Sequence, residues 1–194
     1  MKKKILILNG SPKKNGNTDT LVQWFVEGVS SKDAEIEIIH AARLKFKVGG
    51  CTSCRICQKI KRFECVINDD VKDVLKKMAK ADIIVFATPL YFYASSAQLK
   101  LIIDRMFSLY KWNNKTDTFV SPMIGKTMGL IVSAYENIGL KVAEGSFKLT
   151  ADYSGMRFKS FLVSNAGESG EVTRIKNIRD RTETFAKGLL KLAK

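Results

Sequence analysis

The sequence predicts an α/β fold: a doubly wound, five-stranded parallel sheet in the order 2-1-3-4-5, with helices on both faces. Three observations carry this. Runs of about six Val, Ile, Leu and Phe residues alternate with longer segments of helical period, the pattern of βαβ units. The first, third and fourth runs are almost continuously apolar, as strands covered on both faces are. The chain has 194 residues, 45% of them hydrophobic and 27% charged, enough for one core that needs no disulfide staples. We expect a single domain over 1–194, carrying a cysteine-rich insertion at about 45–67.

Taken in order, the first strand is Lys4–Leu8. The helix after it places Leu21, Trp24, Phe25, Gly28 and Val29 on one face. The second strand is Glu35–His40. Asn68-Asp69-Asp70 then opens a helix with a cap and first-turn acids, and Val71, Val74, Leu75 and Met78 repeat the helical period. The third strand is Asp82–Ala87. The next helix starts at Ser95-Ser96, where Gln98 would complete a capping box, and turns Leu99, Ile102, Ile103 and Met106 inward. The fourth strand, Thr127–Ser133, is followed by a helix from about Leu140 to Tyr153, interrupted by Gly145. The fifth strand is Phe158–Ser164, and a last helix carries Ile175, Ile178, Phe185, Leu189 and Leu192. Right-handed crossovers close these units most economically in the stated order. The winding then reverses between strands 1 and 3, so the loops after Leu8 and Ala87 should share one crevice.

Composition narrows the function classes. Thirty-three Lys and Arg against 19 Asp and Glu leave a net charge of +14, a surface that favours anions. The apolar stretch of MKKKILILNGS is too short for a signal sequence, and the longest, Ile83 to Ala94, falls short of the roughly 18 residues of a membrane span. A cytoplasmic protein, with no membrane and no nucleic-acid partner, is the expectation. The single histidine, His40, ends a strand without a partner visible in sequence, and nothing forms a hydrolytic site.

The loop after the first strand reads Asn9-Gly10-Ser11-Pro12-Lys13-Lys14-Asn15-Gly16-Asn17-Thr18 and runs straight into a helix. Glycines let backbone N–H groups curl inward, the helix start adds partial positive charge, and Ser11, Asn17 and Thr18 add neutral donors. It is not a Walker A loop, because the second glycine comes one position late and Asn17 stands where lysine is needed. So many hydrogen-bonding groups suit a terminal phosphomonoester. The loop after the third strand reads Thr88-Pro89-Leu90-Tyr91-Phe92-Tyr93-Ala94-Ser95-Ser96. Three consecutive aromatics in a loop cannot all enter a core, so at least one should line the crevice, where a flat conjugated ligand can lie.

All four cysteines fall in one segment, Cys51-x2-Cys54-x2-Cys57-x7-Cys65. Such confinement suits one local site in a reducing compartment. Two successive x2 spacings match the tight packing of a [4Fe–4S] cube, with the fourth cysteine completing the ligands. The bacterial ferredoxin pattern is not met, since seven residues intervene before Cys65 and Val66 follows it. Zinc more often uses two separated CxxC pairs. Zinc, a disulfide and free thiols stay open beside the cluster. Six basic residues between Lys45 and Arg62, against Glu64 alone, either offset a thiolate-ligated cluster or form a solvated loop.

Together the GSPKKNGNT stretch and the PLYFYASSAQLKLIIDR stretch at 89–105 resemble the flavodoxin-like family of NAD(P)H-dependent FMN reductases, over nearly the whole chain. The resemblance implies that Ser11, Lys13, Asn17 and Thr18 hold the FMN phosphate and that Pro89, Leu90, Tyr91 and Phe92 meet the isoalloxazine. It also implies that the loop Ser133-Ala134-Tyr135-Glu136-Asn137 closes over the flavin's other side, making Ser133 and Tyr135 candidates. Lys100, Asp104 and Arg105 match the family's helix as well, although Lys100 and Asp104 stand i,i+4 and read as a pair on a solvated face. The cysteine segment resembles the compact motif of the iron-sulfur flavoprotein branch, in which Cys51, Cys54, Cys57 and Cys65 would ligate a [4Fe–4S] cluster. The implied function is an FMN oxidoreductase with NAD(P)H as co-substrate. The flavin carries the chemistry, no residue acts as a dedicated catalyst, and the cluster relays single electrons to a ferredoxin-like carrier. A homodimer or dimer of dimers is expected from the family and from the aromatics at 91–93 and 107–112. The alternative is a basic, non-enzymatic binding module in which the four cysteines hold a structural zinc ion.

Overall fold

A computed structural model describes residues 2–29, 32–113 and 115–193. In chain order the elements are β1 (Lys3–Asn9), α1 (Asn17–Glu27), β2 (Ala34–His40), α2 (Ile56–Lys59), α3 (Asp70–Lys80), β3 (Ile83–Pro89), α4 (Ala97–Arg105), β4 (Lys111–Asn113), β5 (Thr118–Val120), β6 (Thr127–Ser133), α5 (Leu140–Tyr153), β7 (Arg157–Val163) and α6 (Ile178–Leu192). The five long strands pair in parallel in the order β2-β1-β3-β6-β7. This is the predicted 2-1-3-4-5 sheet, with strand ends shifted by one or two residues.

Alternation along the strands divides the core between two faces. Leu6, Leu8, Ile84, Phe86 and Leu130 pack with Val74 and Leu75 of α3, Leu99 and Ile102 of α4 and Phe147 of α5. Ile5, Ile7, Ile83, Val85 and Ile131 face the other way, against Leu21 and Phe25 of α1 and Phe185 and Leu189 of α6. The two helices of that second layer touch at Gly28, just past α1. A Cβ there would lie 2.6 Å from the Cα of Glu183, so only glycine permits the approach.

Several local expectations are revised. Asp69 is the N-cap residue of α3 but makes no side-chain cap bond; its Oδ2 takes Arg105 at 2.7 Å and the Lys47 N–H at 3.1 Å. The expected Ser95–Gln98 capping box gives way to Ser96, whose Oγ accepts the Leu99 N–H at 3.4 Å. Ile175 lies ahead of α6 rather than on it. The antiparallel hairpin of β4 and β5, pairing Trp112 with Phe119, was not expected. It turns the aromatics at 110–112 inward, where Tyr110, Trp112, Phe119 and Tyr153 form one ring cluster. Buried Tyr110 and half-buried Trp112 are therefore no free surface for subunit contact. Among the described residues no helix is long and apolar enough to cross a membrane.

Candidate functional site

The crevice opens where the sequence placed it, over the carboxyl ends of β1 and β3. The Gly10 N–H donates to the Ala87 carbonyl at 2.7 Å, joining the two strand ends. A Cβ at Gly10 would sit 2.7 Å from Ser96 Oγ and 2.9 Å from Leu99 Cβ, so the turn lies against the start of α4 only because it lacks a side chain. Asn9 braces the loop beyond: its Oδ1 accepts the Ser11 N–H at 2.9 Å, and its Nδ2 donates to Asp19. The other Asp19 oxygen accepts the Asn15 N–H at 2.8 Å, which holds Asn15 in a left-handed conformation at φ 56°. The loop thus enters α1 at Gly16, which makes no side-chain cap bond. The positive end of the helix dipole and its first N–H groups are left facing the crevice.

Ser11, Lys13, Asn17, Thr18, Pro89, Leu90, Tyr91, Ser133 and Tyr135 all line this one cavity. Within it Thr18 Oγ1 and Ser133 Oγ share a buried hydrogen bond of 2.9 Å. The Asn17 carboxamide has another task. Its Nδ2 donates to the Ala166 and Glu168 carbonyls, both at 2.7 Å, and its Oδ1 accepts the Gly170 and Val172 N–H groups at 3.0 and 3.3 Å. With all of its polar capacity engaged, Asn17 anchors the loop after β7 and meets the cavity through its backbone. That loop, 166–169, forms a further wall that the sequence reading missed. Its only sequence signal is the short Gly- and Ser-bearing stretch after the fifth strand.

Phe92 is the candidate that stands apart. Tyr91 and Ala94 exchange backbone hydrogen bonds of 3.0 Å, with Phe92 at φ 45° and Tyr93 at φ 65° between them. Two left-handed central residues make a type I′ turn, ordinarily the place of Asn and Gly, so this pair of aromatics is held under strain. The turn throws the Phe92 ring outward, 99% exposed, onto a shelf beside the crevice shared with Tyr93, Tyr135 and Ile138.

The cysteine segment lies between β2 and α3. Cys51 and Cys54 are exposed, Cys57 and Cys65 are buried, and all four are free thiols. Positive φ at Ser53 and Arg55 coils the backbone, and the four cysteines line one small cavity together with Arg55, Arg105 and Phe107. Gln58 fastens the segment to the hairpin, donating to the Tyr110 carbonyl at 2.9 Å and accepting the Trp112 N–H at 3.2 Å. Arg105 is no surface residue. It and Asp69 form an ion pair in which each side chain is 1% exposed. Burial pushes the Asp69 carboxyl up, but the Arg105 guanidinium and backbone donors outweigh that and hold it below its ordinary value. Lys100 and Asp104 do pair on the solvated face, as expected.

A sheet of this order, with an anion cradle after β1 and an aromatic turn after β3 meeting at the switch point, defines a flavodoxin-like domain. The chain belongs to the NADPH-dependent FMN reductase family, whose profile matches residues 3–164. An iron-sulfur flavoprotein of Methanocaldococcus jannaschii is 37% identical over 102 residues, 53% of this chain and 51% of that one. A Bacillus subtilis protein, named as an NAD(P)H-dependent FMN-containing oxidoreductase, is 28% identical over 174 residues, 88% of this chain and 90% of its own. The NAD(P)H:quinone oxidoreductase of Methanothermobacter marburgensis shares the fold, with a TM-score of 0.73 at 17% identity over 98% of each chain. This chain spans about half the length of the first iron-sulfur flavoproteins it matches.

The crevice fits FMN. The uncapped start of α1, the Ser11 and Thr18 hydroxyls and Lys13 suit a phosphate, and Leu90, Tyr91 and Tyr135 offer apolar walls to a flat ring. The cysteine cavity fits a thiolate-ligated group by its chemistry, with four sulfurs, no carboxylate in its lining and the buried Arg105 Nε without a nitrogen or oxygen acceptor. Among the described residues no three His, Cys, Asp or Glu side chains gather as around a single metal ion. In a cubic cluster each thiolate takes a different iron, so its sulfurs stand farther apart than around one ion.

Proposed function

We propose that this protein is an FMN-dependent oxidoreductase that uses NAD(P)H, and that its four cysteines hold a [4Fe–4S] cluster. The observation that carries the reading is the convergence of the glycine-turn and aromatic-turn residues on one cavity. Bound FMN would supply hydride acceptance and the release of electrons. The chain's own part is to seat and orient. Ser11, Lys13, Thr18 and the first N–H groups of α1 would hold the phosphate, and Asn17 fixes the wall at 166–169 so that the cavity keeps its shape. Pro89, Leu90 and Tyr91 would back the ring on one side and Tyr135 would border it on the other. The shelf of Tyr93, Tyr135 and Ile138 is left for a flat nicotinamide or acceptor.

Cys51, Cys54, Cys57 and Cys65 would hold the cluster, which would divide a two-electron transfer into single steps. The net charge of +14 supports an acidic, ferredoxin-like carrier as electron partner. The fully exposed Phe92 ring supports a homodimer or dimer of dimers that covers it. A reducing cytoplasm is the compartment in which four such thiols stay available to iron. The zinc-bearing binding module is the less favoured reading, since the family match runs through the crevice residues.

Anaerobically purified protein tests the proposal. Flavin absorption bands together with stoichiometric iron and acid-labile sulfide support it. Flavin without iron or sulfide leaves a plain NAD(P)H-dependent reductase, and protein with neither overturns both.

A further inference from the structure

Two cations approach the cysteine site from elements outside the cysteine segment. Arg105, at the end of α4, spends Nη1 on Asp69 at 2.7 Å and Nη2 on the Ile67 carbonyl at 3.3 Å. Its buried Nε–H meets no nitrogen or oxygen acceptor, the Cys65 sulfur interacts with the guanidinium, and both residues line one cavity. Lys111, at the start of β4, donates Nζ to the Cys57 carbonyl and stands 5.5 Å from the centre of the Phe63 ring. Among the described residues no carboxylate forms a salt bridge with it. Arg105 shares its charge with Asp69, whereas half-buried Lys111 has no carboxylate partner and is favoured by an anion beside it. A four-thiolate [4Fe–4S] cube would be that anion: it is dianionic when oxidised and gains one more negative charge on one-electron reduction.

We propose that Arg105 and Lys111 are the built-in counter-cations of the cysteine site, Arg105 directing its Nε–H at the Cys65 sulfur and Lys111 facing Cys57, and that they set how readily the site accepts an electron. The inference rests on the cluster reading above. The step would be a one-electron reduction of the site with reduced FMN in the crevice as the donor, and no bond in the chain would be made or broken. Because Arg105 is buried and Lys111 half-buried, bulk salt screens them less than it screens exposed charges, and their charge would act on the reduced form more than on the oxidised one.

The test compares intact wild-type protein, Lys111→Met, Lys111→Arg and Arg105→Lys, each purified anaerobically. Iron and sulfide per chain are measured first, then the midpoint potential by a redox titration followed by electron paramagnetic resonance. Lys111→Met should keep its iron while its reduction equilibrium falls at least tenfold, about 59 mV for a one-electron couple. Lys111→Arg should restore the wild-type potential. Arg105→Lys, which keeps the charge but loses the third donor, should lower the potential by less than Lys111→Met does. Loss of iron in Lys111→Met that Lys111→Arg restores also supports the proposal. An unchanged potential in iron-replete Lys111→Met overturns it alone, as does iron loss that Lys111→Arg does not restore, since Lys111 would then be a strap between hairpin and loop. Wild-type protein without iron or sulfide overturns the cluster reading and this inference together.

Discussion

Thr18 and Ser133, 115 residues apart, join their hydroxyls at 2.9 Å in the floor of the crevice, with 2% and 3% of their surfaces exposed. The bond ties the first turn of α1 to the end of β6, so the two walls of the cavity are held at a fixed separation. Thr18 would then serve the site twice, as a brace that accepts from Ser133 and as a donor toward a bound phosphate.

Ser133→Ala should reveal the brace. It leaves the buried Thr18 hydroxyl unpaired and should cost about 1–3 kcal/mol of stability. Thr18→Val alone should cost a similar amount, and the double variant less than the sum of the two. Urea unfolding of the four proteins as a double-mutant cycle checks this. Additive losses would show that the hydroxyls do not interact.

The Asp69–Arg105 pair gives stability a defined pH dependence. Arg105 and the backbone donors hold the Asp69 carboxyl below its ordinary value, so the folded state favours the ionised form more than the unfolded state does. That contribution is complete above about pH 4, where an unfolded aspartate titrates, and it fades as pH falls through the lower folded pKa. Arg105→Met should destabilise the protein by about 3–5 kcal/mol at neutral pH by leaving a buried carboxylate without its counter-charge. Arg105→Met combined with Asp69→Asn should recover part of that loss. Denaturant midpoints from pH 2 to 7 should show the gap between wild type and Asp69→Asn narrowing only on the acid side.

The cysteine segment and the crevice sit on different loops, one after β2 and the other after β1 and β3. Cys54→Ser should therefore abolish iron binding while FMN stays bound at full occupancy, and reduction of the flavin by NAD(P)H should survive. Iron, sulfide and flavin quantified on one anaerobic preparation decide it. Joint loss of iron and flavin would show that the cysteine segment shapes the flavin site.

The sequence made the scaffold and most of the crevice legible, for physical reasons that particular residues show. Strands such as Ile83–Pro89, covered on both faces, must be apolar throughout, and that run is visible without any knowledge of partners. The β4–β5 hairpin was not visible because strands of three residues show no period. The loop at 166–169 was hidden because its place depends on the Asn17 carboxamide, a contact across about 150 positions. Phe92 looked like a ring contact, yet a type I′ turn turned it outward. Arg105 was visible only as a match to the family's helix, because its buried partner Asp69 stands 36 positions away at the start of a different helix.

Seating of FMN by its phosphate is tested by the affinities of FMN and riboflavin for wild type and Ser11→Ala, measured by flavin fluorescence quenching. Wild type should bind FMN far more tightly than riboflavin. Ser11→Ala should weaken FMN by about 1.5–3 kcal/mol, the worth of one charge-assisted hydrogen bond, and leave riboflavin nearly unchanged. Equal affinity of wild type for the two ligands, or an equal loss for both in Ser11→Ala, would contradict it.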